Sequence, residues 1–206
     1  MSDEVLWYLN RATGVVLLVL MTAAVVLGVL VRRRGRVPGL PRFGVAGLHR
    51  NVALLSGLLL VVHVATAVVD DYVDIGLLDA LVPFLSGYRP FAVGLGTLAL
   101  DLLLLVVVTS LLRGRLPLPL WRAVHLTTYL MWPLAFVHGL TAGSDLGSGW
   151  LLALVLGCAV VTAGAVVAAV HGRRSLVAAP GRAAAAVADS TTSLRTGQPV
   201  GVFRNG

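Results

Sequence analysis

Five stretches of apolar sequence, each about as long as a membrane is thick when helical, constrain most strongly what this chain can fold into. They lie at about 7–31, 45–69, 90–112, 119–141 and 149–171. A helix needs about 20 residues to cross a hydrocarbon core of about 30 Å. Only 12% of the 206 residues are charged, which is about half the fraction typical of soluble domains. The sequence therefore predicts an all-α membrane protein, a bundle of about five transmembrane helices.

The charges between these stretches alternate in sign along the chain. The first and third connections are rich in arginine and the second in aspartate: Arg32, Arg33, Arg34, Arg36 and Arg42; Arg113 and Arg115; Asp70, Asp71, Asp74 and Asp79. Arginine-rich connections stay in the cytoplasm, so we expect the N-terminus outside and the C-terminus cytoplasmic. The arginines are topology signals, so lipid and not nucleic acid is the expected partner. A composition rich in Ala, Val, Leu and Gly, with arginine as the basic residue, indicates the inner (plasma) membrane of a bacterium.

The chain is predicted to form one membrane domain, residues 1–174, and a tail. Residues 175–206 have little aromatic content and no helical period, which is typical of a disordered cytoplasmic extension. The second connection contains an apolar segment, IGLLDALVPFLSGY (75–88). It is too short to span the bilayer and is predicted to lie at the outer membrane surface.

Four of the five histidines fall inside two of the predicted spans. His49 and His63 lie 14 residues apart in the second span, and His125 and His138 lie 13 residues apart in the fourth. Ionisable residues within a span are rare and are functional by default. Both spans are predicted to run outwards. His49 and His125 therefore share the inner leaflet, and His63 and His138 share the outer one.

Two histidines at one depth suit haem better than a bare metal ion. A zinc site requires three or four protein ligands, whereas haem brings four equatorial nitrogens and needs only two axial imidazoles. The single cysteine, Cys158, cannot form a CxxCH haem attachment. We interpret the two histidine pairs as axial ligands of haem iron, with two b-type haems (haem b) per chain.

The histidine spacing in the fourth span does not fit a regular helix. At about 100° per residue, fourteen residues bring two side chains within about 40° of each other, whereas thirteen leave about 140° between them. Pro133 lies between His125 and His138. A proline with local π-type unwinding is a known cause of such a departure, so we predict an irregularity there.

The two histidine-bearing stretches resemble a known family. GLHRNVALLSGLLLVVH (47–63) and WRAVHLTTYLMWPLAFVH (121–138) resemble the ferric reductase-like transmembrane domain, found in ferric reductases, NADPH oxidases and the haem-binding membrane subunit of the methionine-sulfoxide reductase system. The resemblance covers about 7–171 and implies a bis-histidine, di-haem cytochrome b core. It implies that His49 and His125 bind an inner haem, and that His63 and His138 bind an outer one.

Three arginines lie near the predicted haem levels. The resemblance aligns Arg11 with a family position at the outer level, and Arg50 and Arg122 flank the inner histidines. Each could pair with a haem propionate. The alternatives are a snorkelling interfacial residue for Arg11 and ordinary cytoplasmic charge for the other two. Asp101, inside the third span, is either a functional group beside a ligand histidine or a protonated residue bonded to a neighbouring helix.

The resemblance implies an electron-transport role. We interpret the chain as a b-type cytochrome that carries electrons from a cytoplasmic flavoprotein reductase or a quinol to an external acceptor, either ferric iron or a partner oxidoreductase. The few residues after the last span leave no room for a flavin and nicotinamide domain, so we expect an oxidoreductase component that needs a separate reductase, with any flavin on that partner. No catalytic side chain is assigned. The alternative is a non-redox permease or assembly factor whose histidines are structural or relay protons.

Overall fold

The computed structural model describes residues 3–33, 41–70, 73–143 and 149–171, and within these ranges all regular secondary structure is helical. The predicted tail lies outside the described residues. The helices are α1 (Asp3–Arg32), α2 (Arg42–Val69), α3 (Leu77–Leu81), α4 (Pro90–Leu111), α5 (Leu118–Leu126), α6 (Thr128–Ala142) and α7 (Gly149–His171). A short 3₁₀ turn, Arg113–Arg115, joins α4 to α5.

Four single helices, α1, α2, α4 and α7, are long and apolar enough to cross a membrane. Their apolar side chains are largely exposed on the surface of the bundle, as expected when lipid surrounds it. These findings confirm the prediction of an all-α membrane bundle. The remaining predicted span, 119–141, is covered by two consecutive helices, α5 and α6, instead of one.

The chain changes its winding at Thr127, between α5 and α6. The N–H of Thr127 bonds to the carbonyl of Val124 at 3.0 Å, and the N–H of Leu130 bonds to the carbonyl of Thr127 at 2.9 Å. Both bonds span three residues, as in a 3₁₀ helix. The irregularity therefore lies between the two histidines of this span, but the expectation of π-type unwinding at Pro133 is wrong, because Pro133 continues within α6. Tighter winding adds rotation, which brings a 13-residue spacing closer to a whole number of turns.

The two histidine-bearing segments are each backed by a different helix. The backbone of α1 packs along α2, and that of α4 packs along α6. Backbone contacts between α2 and either α5 or α6 are sparse. The segments that carry the histidines therefore face each other across a gap that only side chains bridge.

A buried core at mid-height joins α1, α4, α6 and α7. Its fully buried members are Met21, Ala99, Leu103, Met131, Trp132 and Cys158. The indole Nε1 of Trp132 donates a hydrogen bond to Thr22 Oγ1 at 3.1 Å, and its ring stacks on Phe136 with centroids 5.2 Å apart. Trp132 thus links α6 to α1 between the levels of the two histidines on its own segment.

The short apolar segment after α2 forms α3 and then packs on α4. Phe84 has a left-handed φ of 65°, and its ring covers Gly94 so closely that any side chain at 94 would collide with it. Thr97 Oγ1 donates a hydrogen bond to the carbonyl of Asp79 at 3.0 Å. This connection is therefore fixed to the N-terminal half of α4.

The chain divides into two compact units, Met1–Ala165 and Val166–Gly206. The first contains α1 to α6, most of α7 and all four paired histidines. Of the second, the structure describes 166–171, the end of α7. There His171 Nδ1 donates to the carbonyl of Val167 at 3.0 Å, within its own helix.

Candidate functional site

The structure arranges four histidines as two facing pairs. His49 of α2 faces His125 of α5 with ring centroids 6.2 Å apart, and His63 of α2 faces His138 of α6 at 6.4 Å. The ring planes cross at 76° and 86°. We call His49 and His125 the first pair, and His63 and His138 the second pair. The structure thus brings together the residues that the sequence grouped by depth.

The separation within each pair matches one metal atom held between two imidazoles. A metal–nitrogen bond is about 2.0 Å and a ring centre lies about 1.1 Å behind its nitrogen, so two imidazoles on opposite sides of a metal have centroids about 6 Å apart. An edge-to-face ring contact has a similar separation, so the distance alone permits both arrangements. The hydrogen bonds of the rings distinguish them.

Three of the four imidazoles donate a hydrogen bond from Nδ1 to a backbone carbonyl of the backing helix. The donors and acceptors are His49 to Ala24 (2.9 Å), His63 to Asn10 (3.0 Å) and His138 to Ala92 (2.7 Å). A carbonyl can only accept, so Nδ1 carries the proton and Nε2 keeps its lone pair. A neutral imidazole fixed in this way is the form that ligates a metal.

The fourth imidazole, His125, is held differently. Its Nδ1 is buried and has no hydrogen-bond partner among the described residues. Its ring stacks on Trp121, one turn earlier in α5, with centroids 4.9 Å apart and planes 23° apart. The guanidinium of Arg113 lies over the Trp121 ring, 4.4 Å from its centroid. Ring stacking, reinforced by a cation–π contact, therefore orients this imidazole.

Asn10 fixes the position of His63 at two points, and sequence reasoning missed it. Besides its carbonyl, its side-chain Nδ2 donates to the carbonyl of His63 at 2.7 Å and to Thr66 Oγ1 at 3.1 Å. Thr13 Oγ1 also lies 3.2 Å from His63 Nδ1. The available signal was a pair of polar residues, Asn10 and Thr13, on either side of Arg11 in an otherwise apolar helix.

The predicted arginines lie near the two ends of this arrangement. Arg11 is half-buried, with its guanidinium over the Trp7 ring at 4.6 Å. Its Nη2 would be 3.9 Å from a Cβ placed on Gly143, just beyond the end of α6. Arg50 and Arg122 are exposed side chains close in sequence to the first pair.

A comparison with known protein families matches residues 11–136 to the family described as ferric reductase like transmembrane component. The chain belongs to this family. The matched range covers more than half of the chain, includes three of the four paired histidines and ends two residues before His138. Comparisons with curated proteins and with solved structures found no match. Membership in the family indicates a membrane redox component.

This ferric reductase-like chain has a further arginine at the second pair that sequence reasoning missed. Arg89 Nη1 donates to the carbonyl of Thr141 at 3.1 Å and to that of Ala142 at 3.4 Å. These carbonyls end α6, where helices carry unsatisfied acceptors and partial negative charge. Arg89 therefore fixes the end of α6 one turn after His138. The signal was a single arginine in a connection otherwise rich in aspartate.

The donor set of the ferric reductase-like chain fits haem. Among the described residues, no group of three or more His, Cys, Asp or Glu side chains could hold a metal ion. A metal at either pair must therefore take further ligands from another source, as iron does from the four nitrogens of a porphyrin. Asp101, half-buried in α4, makes no hydrogen bond to any of the four imidazoles, so the predicted contact with a ligand histidine is not formed.

Proposed function

We propose that this ferric reductase-like chain is a transmembrane b-type cytochrome with one haem at each histidine pair. It would carry electrons from a cytoplasmic flavoprotein reductase or quinol to an external acceptor, either ferric iron or a partner oxidoreductase. The observation that supports this most directly is the pair of centroid separations, 6.2 and 6.4 Å. Both agree with one metal atom between two imidazoles, at two separate levels of one bundle.

The protein side of this function is to hold ligands in place and to exclude water. Bound haem supplies a reversible one-electron couple. Two axial imidazoles complete the coordination of each iron, which suits electron transfer better than binding of a substrate to the metal. The backing helices keep the imidazoles neutral and oriented, and the surrounding apolar side chains provide a medium of low dielectric constant.

The arginines support the same proposal through charge. Haem propionates are anionic, and Arg11 lies at the end of α6 near the second pair, in a half-buried position where a charge-assisted hydrogen bond is strong. Arg50 and Arg122 are exposed, so solvent would weaken any pairing of theirs with propionates. In the proposed topology, the first pair faces the cytoplasm and the second pair faces outside, which gives the direction of electron transfer.

Purified protein is expected to contain two b-type haems per chain. Pyridine haemochrome measured per mole of protein gives this number, and dithionite should shift the Soret and α bands of both haems. His171→Ala is the matched control, because His171 is an exposed histidine that bonds within its own helix. It should leave the haem content unchanged. Protein that binds no haem, even after incubation with hemin, would contradict the proposal and favour a non-redox membrane protein.

Arg11→Ala is expected to perturb one haem only, the one at the second pair. Loss of a guanidinium near a propionate removes positive charge beside the haem, so the reduction potential of that haem should fall while the other stays constant. Redox titration with optical detection measures both potentials. Arg50→Ala, an exposed arginine next to the first pair, is the comparison and should leave the second-pair haem unchanged. Equal shifts of both haems in Arg11→Ala would contradict the placement of Arg11.

A further inference from the structure

Each of the three hydrogen-bonded imidazoles also contacts a glycine of the backing helix, four residues after the carbonyl that it bonds. The carbonyl and glycine residues are Asn10 and Gly14 for His63, Ala24 and Gly28 for His49, and Ala92 and Gly96 for His138. A Cβ added at Gly14, Gly28 or Gly96 would lie 3.1, 3.2 or 2.7 Å from the Cε1 of its histidine. We call each carbonyl with its glycine a seat.

The geometry of an α-helix explains why a seat needs glycine. The carbonyl of one residue bonds to the N–H of the residue four positions later. The Cβ of that later residue tilts towards the helix N-terminus and covers the preceding turn, including this carbonyl. With glycine there, the carbonyl stays open and its second lone pair can accept a hydrogen bond from an imidazole. Glycine within a helix costs about 1 kcal/mol relative to alanine, so three such glycines point to a local requirement.

The seats match the histidines in number on one side of the gap only. On α1, Gly14 and Gly28 are 14 residues apart, the same spacing as His49 and His63 on the antiparallel helix α2. On α4 there is one seat, at Gly96. The residue fourteen positions later is Ser110, whose Oγ accepts a bond from Trp121 Nε1 at 3.4 Å. No seat is therefore available to His125.

We propose that the three seats are positioning elements that set the tautomer, orientation and donor strength of His49, His63 and His138, and that Trp121 positions His125 in place of a seat. This inference rests on the proposed haem binding. An imidazole that donates from Nδ1 to a carbonyl is a stronger ligand to the metal, which favours ferric iron and lowers the reduction potential. The second pair has two seated ligands and the first pair has one. The haem at the second pair is therefore the one of lower potential.

The sharpest test compares Gly96→Ala with Gly94→Ala by redox titration, optical spectra and electron paramagnetic resonance of the purified haem protein. Both glycines lie in α4, two residues apart, and both are covered by an aromatic ring, that of His138 at Gly96 and that of Phe84 at Gly94. Gly96→Ala should raise the potential of the low-potential haem or release that haem, lowering haem content towards half. Gly94→Ala should leave both potentials at their wild-type values.

The other seats give a pattern that a general packing defect would not produce. Gly14→Ala should act on the same haem as Gly96→Ala, more weakly because its added Cβ is less crowded, and Gly28→Ala should act on the other haem. Trp121→Leu should alter the same haem as Gly28→Ala, and Trp121→Phe, which keeps a stacking ring, should restore the wild-type signal. Gly164→Ala, where an added Cβ meets nothing within 4 Å, is the silent control.

The outcomes separate this inference from the proposed function. If wild-type protein binds no haem, the proposed function fails. If it binds two haems but Gly96→Ala and Gly94→Ala give the same potentials, or if Gly14→Ala and Gly96→Ala act on different haems, the seats do not position the ligands. Should Gly96→Ala fail to fold, the milder pair Gly14→Ala and Gly28→Ala decides the question in the same way, by acting on different haems or on the same one.

Discussion

Replacing any one of the four paired histidines by alanine is expected to remove one haem and to spare the other. A haem that loses one axial imidazole is held by a single protein bond, with no third protein donor beside it, so it should dissociate or become high-spin. His49→Ala and His125→Ala should give one shared spectral loss. His63→Ala and His138→Ala should give a second, different one. Optical spectra and redox titration of the four variants measure this directly.

The grouping of the variants tests the arrangement of the bundle. If His49→Ala matched His138→Ala instead, α2 and α6 would have to run in opposite directions, and the facing pairs at 6.2 and 6.4 Å could not be the ligand sets. The double variant of His49 and His125 should retain as much haem as either single variant. A further loss of haem in the double variant would show that these two residues serve different haems.

Trp132→Ala is expected to give the largest loss of stability of any substitution outside the histidine pairs. Replacing a buried Trp by Ala costs about 3–5 kcal/mol in soluble cores. Water is not the alternative environment in a lipid-embedded bundle, so packing accounts for most of the loss and we expect about 2–3 kcal/mol. Unfolding in a mixed detergent series, followed by circular dichroism, measures the free energy.

Two further variants divide this effect into packing and hydrogen bonding. Trp132→Phe keeps a ring at this position but removes the bond from Nε1 to Thr22, and interhelical bonds of this kind contribute about 0.6 kcal/mol on average. Thr22 keeps its own bond to the carbonyl of Leu18, at 2.8 Å, so no buried hydroxyl loses its acceptor. Trp132→Phe should therefore lose far less stability than Trp132→Ala. Equal losses would mean that the hydrogen bond, and not packing, holds α6 against α1.

The sequence was sufficient to predict the helices because their lengths follow from a single physical quantity, the thickness of the hydrocarbon core. The apolar stretch at about 7–31 became α1 and that at about 90–112 became α4, within a few residues. The irregularity in the fourth span was expected because a 13-residue spacing does not close on a regular helix. Its position at Thr127 was not, since proline marks where a hydrogen bond is missing but not where the winding tightens.

The histidines could be singled out from the sequence, but the groups that hold them could not. Seats depend on the rotation of α1 about its axis relative to α2, and apolar composition on all sides of a membrane helix gives no signal of that rotation. One signal was present: Gly14 and Gly28 repeat the 14-residue spacing of His49 and His63. The stacking of Trp121 on His125 was also accessible, because residues four apart share a helix face.

The seats have a consequence for the order in which the protein is built. Two of the imidazoles are oriented by the helix directly before their own in the chain, α1 for α2, and a third by α4, which precedes α5 and α6. These contacts lie within two antiparallel hairpins, each of which can form as soon as its second helix has entered the bilayer. Ligand geometry is thus a property of each hairpin before the two meet. Cofactor loading then becomes a late step in biogenesis, in which two rigid halves with preset imidazoles close on a flat molecule between them.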